Sequence, residues 1–384
     1  MQFDLTPEQK MFHEAVRDFC QKEIAPYAMH ADETGEMRWE AIRKMPAMGL
    51  TSMVVPEDYG GAALDPISVA LAIEELGRAC GSTGLSLAAH NGLGCFPIVQ
   101  WGSEDLKKRF LPVLTDGHHL GALALTEPNA GSDLRAVKTT ARREGDSWVI
   151  NGHKAWITNP KFSPTIITHC RTENGDGSTS YNMIVVETDR EGLHIEKPEK
   201  KMGLKASPTQ QIRYENVKVP YENLLGKQDQ GLHQVLQTLD GGRITIGALS
   251  VGLAQAAFEA AIKYAQQREA FGKPIANYQA IQWMLADAEV EIEASRLLVM
   301  KAAWLKSQGR DFAKAAAICK LKASEVAEKV CFAAIQIHGS YGYSAEFPVE
   351  RIYRDQRLMT IGEGTSEIQR MVISRAVLKE NPLR

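Results

Sequence analysis

A single carboxylate set between two glycines, in Ile361-Gly362-Glu363-Gly364-Thr365-Ser366-Glu367, is the segment of this 384-residue chain best suited to chemistry. Glycine has no β-carbon, so a ligand can come close to the backbone on either side of Glu363. A carboxylate drawn out of water holds its proton more tightly, which brings it into the working range of a general base. The same string also reads as a solvated helix start, with Thr365 or Ser366 as the N-cap and Glu367 or Gln369 in the first turn.

Two further stretches carry chemistry-bearing side chains. Leu123-Ala124-Leu125-Thr126-Glu127-Pro128-Asn129-Ala130-Gly131-Ser132-Asp133 offers hydroxyls and glycine-adjacent N–H groups that suit a phosphate or the polar edge of a ring. A turn-rich linker has the same composition. Trp156-Ile157-Thr158 places an aromatic ring and a hydroxyl two residues apart, on one face of a predicted strand. A strand tryptophan is more often a packing residue than a cofactor contact.

The elements that must position these residues divide the chain in three. Residues 1–118 show helical spacing, opened by Thr6-Pro7-Glu8-Gln9 as an N-cap with proline in the first turn. Residues 119–226 carry short β-branched runs such as Thr165-Ile166-Ile167-Thr168 and Met183-Ile184-Val185-Val186, with turn chemistry at Asn151-Gly152 and Asn174-Gly175-Asp176-Gly177. Loops rather than crossover helices join them, which predicts an antiparallel sandwich or barrel. Residues 227–384 return to helices, near 231–269, 278–308, 311–338 and 364–378, a four-helix bundle pattern. One stripe there, Ile281, Leu285, Ala288, Ile292, Val299 and Ala302, is interrupted only at Ser295. The fold class is α+β and multidomain.

Composition excludes several alternatives. A formal net charge of −3 gives no bulk attraction to nucleic acid. The cysteines at 20, 80, 95, 170, 319 and 331 form no Cys-x-x-Cys pair, and no His-Glu-x-x-His motif occurs, so neither a metal nor a disulfide framework is expected. The opening residues resemble neither a signal nor a transit peptide, and no apolar run approaches the ~20 residues that a membrane helix requires. A cytoplasmic protein with no membrane span is the expectation.

Taken in order, Thr126-Glu127-Pro128 with Ala130-Gly131-Ser132-Asp133, Trp156-Ile157-Thr158, Arg268-Glu269-Ala270-Phe271-Gly272, Gln336-Ile337-His338-Gly339 and Glu363-Gly364-Thr365 resemble the acyl-CoA dehydrogenase family of flavoproteins. The resemblance spans essentially the whole chain and is to short-, medium- or branched-chain members of bacterial type. It implies FAD as cofactor. Leu125, Thr126, Gly131 and Ser132 would hold the flavin ring and phosphates, Trp156 would flank the ring, and Thr158 would stand beside its N5. Arg268 and Phe271 would meet the pyrophosphate and adenine, with Gln279 near the adenine. Gln336, Ile337 and Gly339 would be lent by a neighbouring subunit of a homotetramer, a dimer of dimers. Thr365 and Glu367 complete the implied cofactor contacts.

For the reaction, the resemblance implies that Glu363 removes the α-proton of an acyl-CoA while the β-hydrogen leaves as hydride, giving trans-2-enoyl-CoA. Electrons would pass to an electron-transfer flavoprotein. The Glu363 N–H and a flavin ribityl hydroxyl would polarise the thioester carbonyl. Ser132, Asp240, Arg243 and Gly364 would contact the substrate. Some relatives carry the base at the position of Gly242, which here has no side chain. Two departures stand out: Gly362 replaces the tyrosine that often precedes the base, and Ser340 a common glycine. His90, Gly92 and Gly94 are expected, with Gly362, at the floor of the acyl pocket. A flavin oxidase or monooxygenase on the same scaffold, and a non-catalytic acyl-CoA binding protein, remain the alternatives.

Overall fold

The structure, a computed structural model, describes residues 4–174 and 177–382. Within the predicted turn after Asn174, Gly175 and Asp176 lie outside the described residues. The chain runs from helices through a sheet to helices. The first helix, Pro7–Phe19, starts as its sequence dictates: the Thr6 hydroxyl accepts from the Gln9 N–H, and the Gln9 side chain accepts from the Thr6 N–H. Asp65 caps the next long helix, Pro66–Ala79, by accepting from the N–H groups of Ile67 and Ser68. That helix is buried along nearly its whole length and packs against Gly231–Gln267. Gly252 makes the close approach feasible, since a β-carbon there would lie 2.1 Å from the Glu74 carbonyl oxygen.

Seven strands follow: β1 (Ala122–Ala124), β2 (Thr140–Glu144), β3 (Ser147–Thr158), β4 (Thr165–Glu173), β5 (Thr179–Glu187), β6 (Leu193–Ile195) and β7 (Thr209–Pro220). Their order is β1-β4-β2-β3-β7-β6, with β5 on β4. The pairing is antiparallel except that β4 runs parallel to β1 and, at Thr140 and Arg171, to β2. The antiparallel expectation holds for the other pairings, and these two make the sheet mixed. The chain enters from the helical region by laying β1 against β4 rather than against its sequence neighbour. Trp148, Ile150, Ile157, Ile166, Ile184, Val186, Ile212 and Tyr214 fill the core of this region.

The C-terminal helices are Gly231–Gln267, Gln279–Ser307, Ala313–His338 and Ser366–Glu380, with the shorter Pro348–Gln356 packed between. The expectation that no apolar stretch approaches a membrane span is corrected here: Gly231–Gln267 is long and apolar enough to cross one, and most of its apolar stretch is buried among the other helices. Ser295, the break in the predicted stripe, is buried with the stripe and donates to the Glu291 carbonyl at 2.8 Å. A buried hydroxyl satisfied inside its own helix costs little, so the stripe is continuous in packing.

Candidate active site

Glu363 sits in the turn between the single 3₁₀ turn Arg357–Thr360 and the helix Ser366–Glu380. Its φ is +52° and that of Gly364 is +95°. A non-glycine residue held in the left-handed region costs free energy that neighbouring contacts must offset, and such positions cluster at functional sites. Thr365, not Ser366, is the N-cap, accepting from the Ile368 N–H at 3.3 Å. The solvated reading of this segment fails at Glu363, because its Oε2 is buried and has no hydrogen-bond partner.

That carboxylate lies against Gly242 on the helix Gly231–Gln267: a β-carbon at 242 would fall 1.8 Å from Oε2. Positions 242 and 363 therefore face one space, and only one of them can fill it with a carboxylate. Burial pushes the Glu363 carboxyl up to about 7, with Lys320 and then Arg243 pulling it back. Arg243 is itself buried and its Nη1 holds Asp240 at 2.5 Å. Burial raises the Asp240 carboxyl, and Arg243 opposes the rise. Arg243 thus belongs to the electrostatic setting of Glu363, and half-buried Asp240 is its partner.

Lys320 has no place in the sequence reading, which has Gln369 only as a first-turn residue of a solvated helix start; both are fully buried beside the turn. Each donates to the Gly364 carbonyl at 2.8 Å, from Nζ and Nε2 respectively. A signal for Lys320 existed: it is a lysine at helical spacing among Ala316, Ala323, Ser324 and Ala327, all buried. Charged residues on such a face are rare unless paired or functional.

The second cluster lies on the sheet. Trp156 falls where β3 slips register against β7, between Lys154 and Ile157, and its φ is +60°. Bulges re-aim side chains in this way. Ala155 and Ile157 turn inward, while Trp156 is 60% exposed and Thr158 half-buried. Under the bulge, fully buried Lys154 donates to the Leu125 carbonyl at 2.8 Å and pairs with Glu127 at 3.0 Å. Burial would raise the Glu127 carboxyl, but Lys154 and the Thr139 and Lys138 groups hold it below its usual value. Ala155 N–H donates to the Thr126 carbonyl, completing the brace. Gly131 has open space beside it and Ser132 is exposed. An outward indole, a half-buried hydroxyl and a pinned loop of Leu125 and Thr126 fit a flat aromatic group with a polar rim.

The remaining predicted residues form two surface groups. Arg268 caps Gly231–Gln267 just before a small hairpin, Glu269–Ala270 with Lys273–Pro274, Phe271 lies in its turn and is 97% exposed, and Gln279 opens the next helix. Tyr278 steadies it, donating to the Ala270 carbonyl and meeting the Phe271 ring edge-on. Gln336 and Gly339 are exposed at the end of Ala313–His338, but the Ile337 side chain is buried in the bundle core. Glu367 is exposed on the last helix.

Part of the pocket-floor expectation is corrected. His90 is fully buried: Nδ1 accepts from the Gly121 N–H and Nε2 donates to the Thr51 carbonyl, each at 2.7 Å. Burial lowers its pKa to about 4, so the ring is neutral joinery. A β-carbon on Gly94 would strike the Gly121 backbone at 2.5 Å, while Gly92 faces open space. Among the described residues no cluster of His, Cys, Asp and Glu could hold a metal ion, and all six cysteines are buried free thiols.

Three family models match in order: Acyl-CoA dehydrogenase, N-terminal domain at 6–118, middle domain at 122–217 and C-terminal domain at 229–378. Probable acyl-CoA dehydrogenase YngJ of Bacillus subtilis is 52% identical, over 99% of this chain and 100% of its own length. The short-chain specific acyl-CoA dehydrogenase of Clostridium acetobutylicum is 41% identical, over 99% and 100%. Butyryl-CoA dehydrogenase from Megasphaera elsdenii superposes with TM-score 0.95 at 40% identity, covering 98% of this chain and 100% of that one. A chain from the structural study of the electron transferring flavoprotein of Acidaminococcus fermentans gives 0.96 at 40%, covering 99% and 100%. A Bacillus anthracis acyl-CoA dehydrogenase complexed with FAD gives 0.92 at 34%, covering 98% of this chain and 68% of that one. Matched from end to end by all three domains and by relatives of the same length, this chain belongs to the acyl-CoA dehydrogenase family.

Proposed function

We propose that the protein is an FAD-dependent dehydrogenase of short-chain acyl-CoA thioesters, forming a trans-2-enoyl-CoA. The observation that carries this is the Glu363 carboxylate, which has one oxygen buried without a partner in a turn held by Lys320 and Gln369. Bound FAD supplies the hydride acceptor. Glu363 takes the proton from the carbon beside the thioester carbonyl, and its own N–H donates to that carbonyl as enolate charge develops. Trp156 covers one side of the cofactor, and Thr158, Thr126 and Ser132 supply hydroxyls to its polar rim. Asp240 meets the pantetheine. The outward Trp156 suits electron exit to an electron-transfer flavoprotein. The short-chain reading draws on the Clostridium and Megasphaera relatives.

The test is anaerobic mixing of FAD-loaded protein with butyryl-CoA. Bleaching of the flavin with formation of the enoyl thioester is the expected result. Protein that takes up no FAD would overturn the reading, and steady peroxide release without an added acceptor would favour an oxidase.

Gly362 bears on acyl breadth. Its φ is not in the left-handed region, and a β-carbon would meet only Leu358 atoms at 3.5 to 3.7 Å, so the backbone does not demand glycine here. Gly362→Tyr should fold with a Tm within a few degrees of wild type. It should lower kcat/KM for branched acyl-CoAs by about tenfold relative to butyryl-CoA, the scale of a few apolar contacts in a pocket. A panel of thioesters followed by flavin bleaching checks it, and an unchanged ratio rejects the role of Gly362.

A homotetramer is part of the proposal. Trp283, Val290, Leu297 and Trp304 are all exposed on Gln279–Ser307 and recur every seventh residue, a stripe that a second helical surface would cover. Val290→Glu with Leu297→Glu should reduce the mass measured by sedimentation. A variant with the wild-type mass would exclude this stripe as the contact.

A further inference from the structure

We propose that Lys320 is the positioning residue of the catalytic turn: its buried ammonium fastens the Gly364 carbonyl and so aims the neighbouring Glu363 carboxylate, with the charge itself, and not only the hydrogen bond, required. This rests on Glu363 being the base. The geometry starts from a strained stretch, since Glu363 and Gly364 both have positive φ and must be held from outside. Lys320 Nζ and Gln369 Nε2 both donate to the Gly364 oxygen at 2.8 Å, which uses both of its lone pairs. A neutral amide could make either bond. A buried ammonium is expensive to keep, so its retention on an alanine-lined face points to a use for the charge itself.

That use is set by what faces Glu363. From Gly231–Gln267 comes Arg243, whose charge is offset by Asp240 at 2.5 Å. From Ser366–Glu380 comes Glu367, an exposed anion that interacts with Lys320 from the surface. From Ala313–His338 comes Lys320, which makes no ion pair among the described residues. Lys320 is therefore the less compensated cation next to the carboxylate, and it is the larger of the two charges holding Glu363 down. Burial in turn lowers Lys320 to about 8, with Glu363 resisting.

The experiment compares Lys320→Met and Lys320→Gln with wild type as FAD-loaded full-length protein. Stopped-flow flavin bleaching by butyryl-CoA is followed from acid to alkaline pH. The carboxyl stretch of Glu363 is titrated in parallel by infrared difference spectroscopy on resting enzyme, assigned by its disappearance in Glu363→Gln. Removing the cation should move the acid limb of the rate profile and the carboxyl midpoint upward together, by about one pH unit. Lys320→Arg, which keeps the charge, should return both toward wild type. The shift is expected in whichever neutral variant folds, the glutamine form retaining a donor toward Gly364. A uniform loss of rate with both midpoints unmoved overturns the proposal and leaves a purely structural lysine. If Glu363→Gln still bleaches at the wild-type rate, the base assignment itself fails. If it is inactive while the Lys320 variants keep the wild-type midpoints, only the role of Lys320 falls.

Discussion

Glu363→Gln should bind FAD like wild type and reduce it about 10³-fold more slowly with butyryl-CoA, within the range for removing a positioned general base. The side chain keeps its size, so the turn, its Lys320 and Gln369 clamps and the contact over Gly242 are preserved. The same substitution should change stability in a pH-dependent way. The Glu363 carboxyl rises from 4.5 to about 7 on folding, so the folded protein binds the extra proton between those values. Stability contributed by this group is complete below 4.5 and is lost as pH rises through about 7. Glutamine carries no charge to desolvate. The variant should therefore gain on wild type as pH rises from 4.5, reaching a plateau above 7 of at most ~3 kcal/mol. Melting temperatures at pH 4.5, 6 and 8 check this, and a pH-independent difference would show that the carboxylate is not desolvated.

What could be read from the chain, and what could not, follows from the range of the interactions. Glu363, its flanking glycines and the Thr365 cap are contiguous, and their chemistry is local enough to be written in sequence. The capping box at Thr6 and the helical stripe through Ile292 and Val299 are legible for the same reason. Trp156 and Thr158 were visible as a pair, but the bulge that turns the indole outward depends on how β3 meets β7. The parallel pairing of β1 with β4 is likewise a tertiary choice that alternation of residues does not encode. His90 is the instructive failure. A histidine among glycines reads as a pocket lining, yet it ties Thr51 to Gly121 across the core, partners that are remote along the chain. Lys320 and Lys154 escaped for the opposite reason. Each is a charge in an apolar pattern, and without a known partner such a residue gives no hint of which carbonyl or carboxylate it serves.

Lys154→Met should be the most destabilising single change on the sheet side of the site, by about 3–5 kcal/mol, because it leaves a carboxylate buried without its cation. Glu127 would keep the Lys138 and Thr139 N–H donors at 2.6 and 2.9 Å but lose Lys154 at 3.0 Å, and the Leu125 carbonyl would lose its donor at 2.8 Å. The Leu125 and Thr126 loop would then no longer be fixed beneath Trp156, so FAD should be released more readily as well. The pH dependence identifies the cause. In wild type the Glu127 carboxyl lies below 4.5, so its contribution is present above that pH and fades as pH falls through the lowered value. Without Lys154 the carboxyl rises, and the deficit of the variant should shrink in acid as Glu127 takes a proton. Adding Glu127→Gln to Lys154→Met should recover part of the lost stability by removing the stranded charge. Thermal melts with and without added FAD, run at pH 5 and 8, measure all of these effects. A Lys154→Met protein that melts within about 1 kcal/mol of wild type and keeps its FAD would mean that the pair does not brace the site, since a broken buried pair costs several times more.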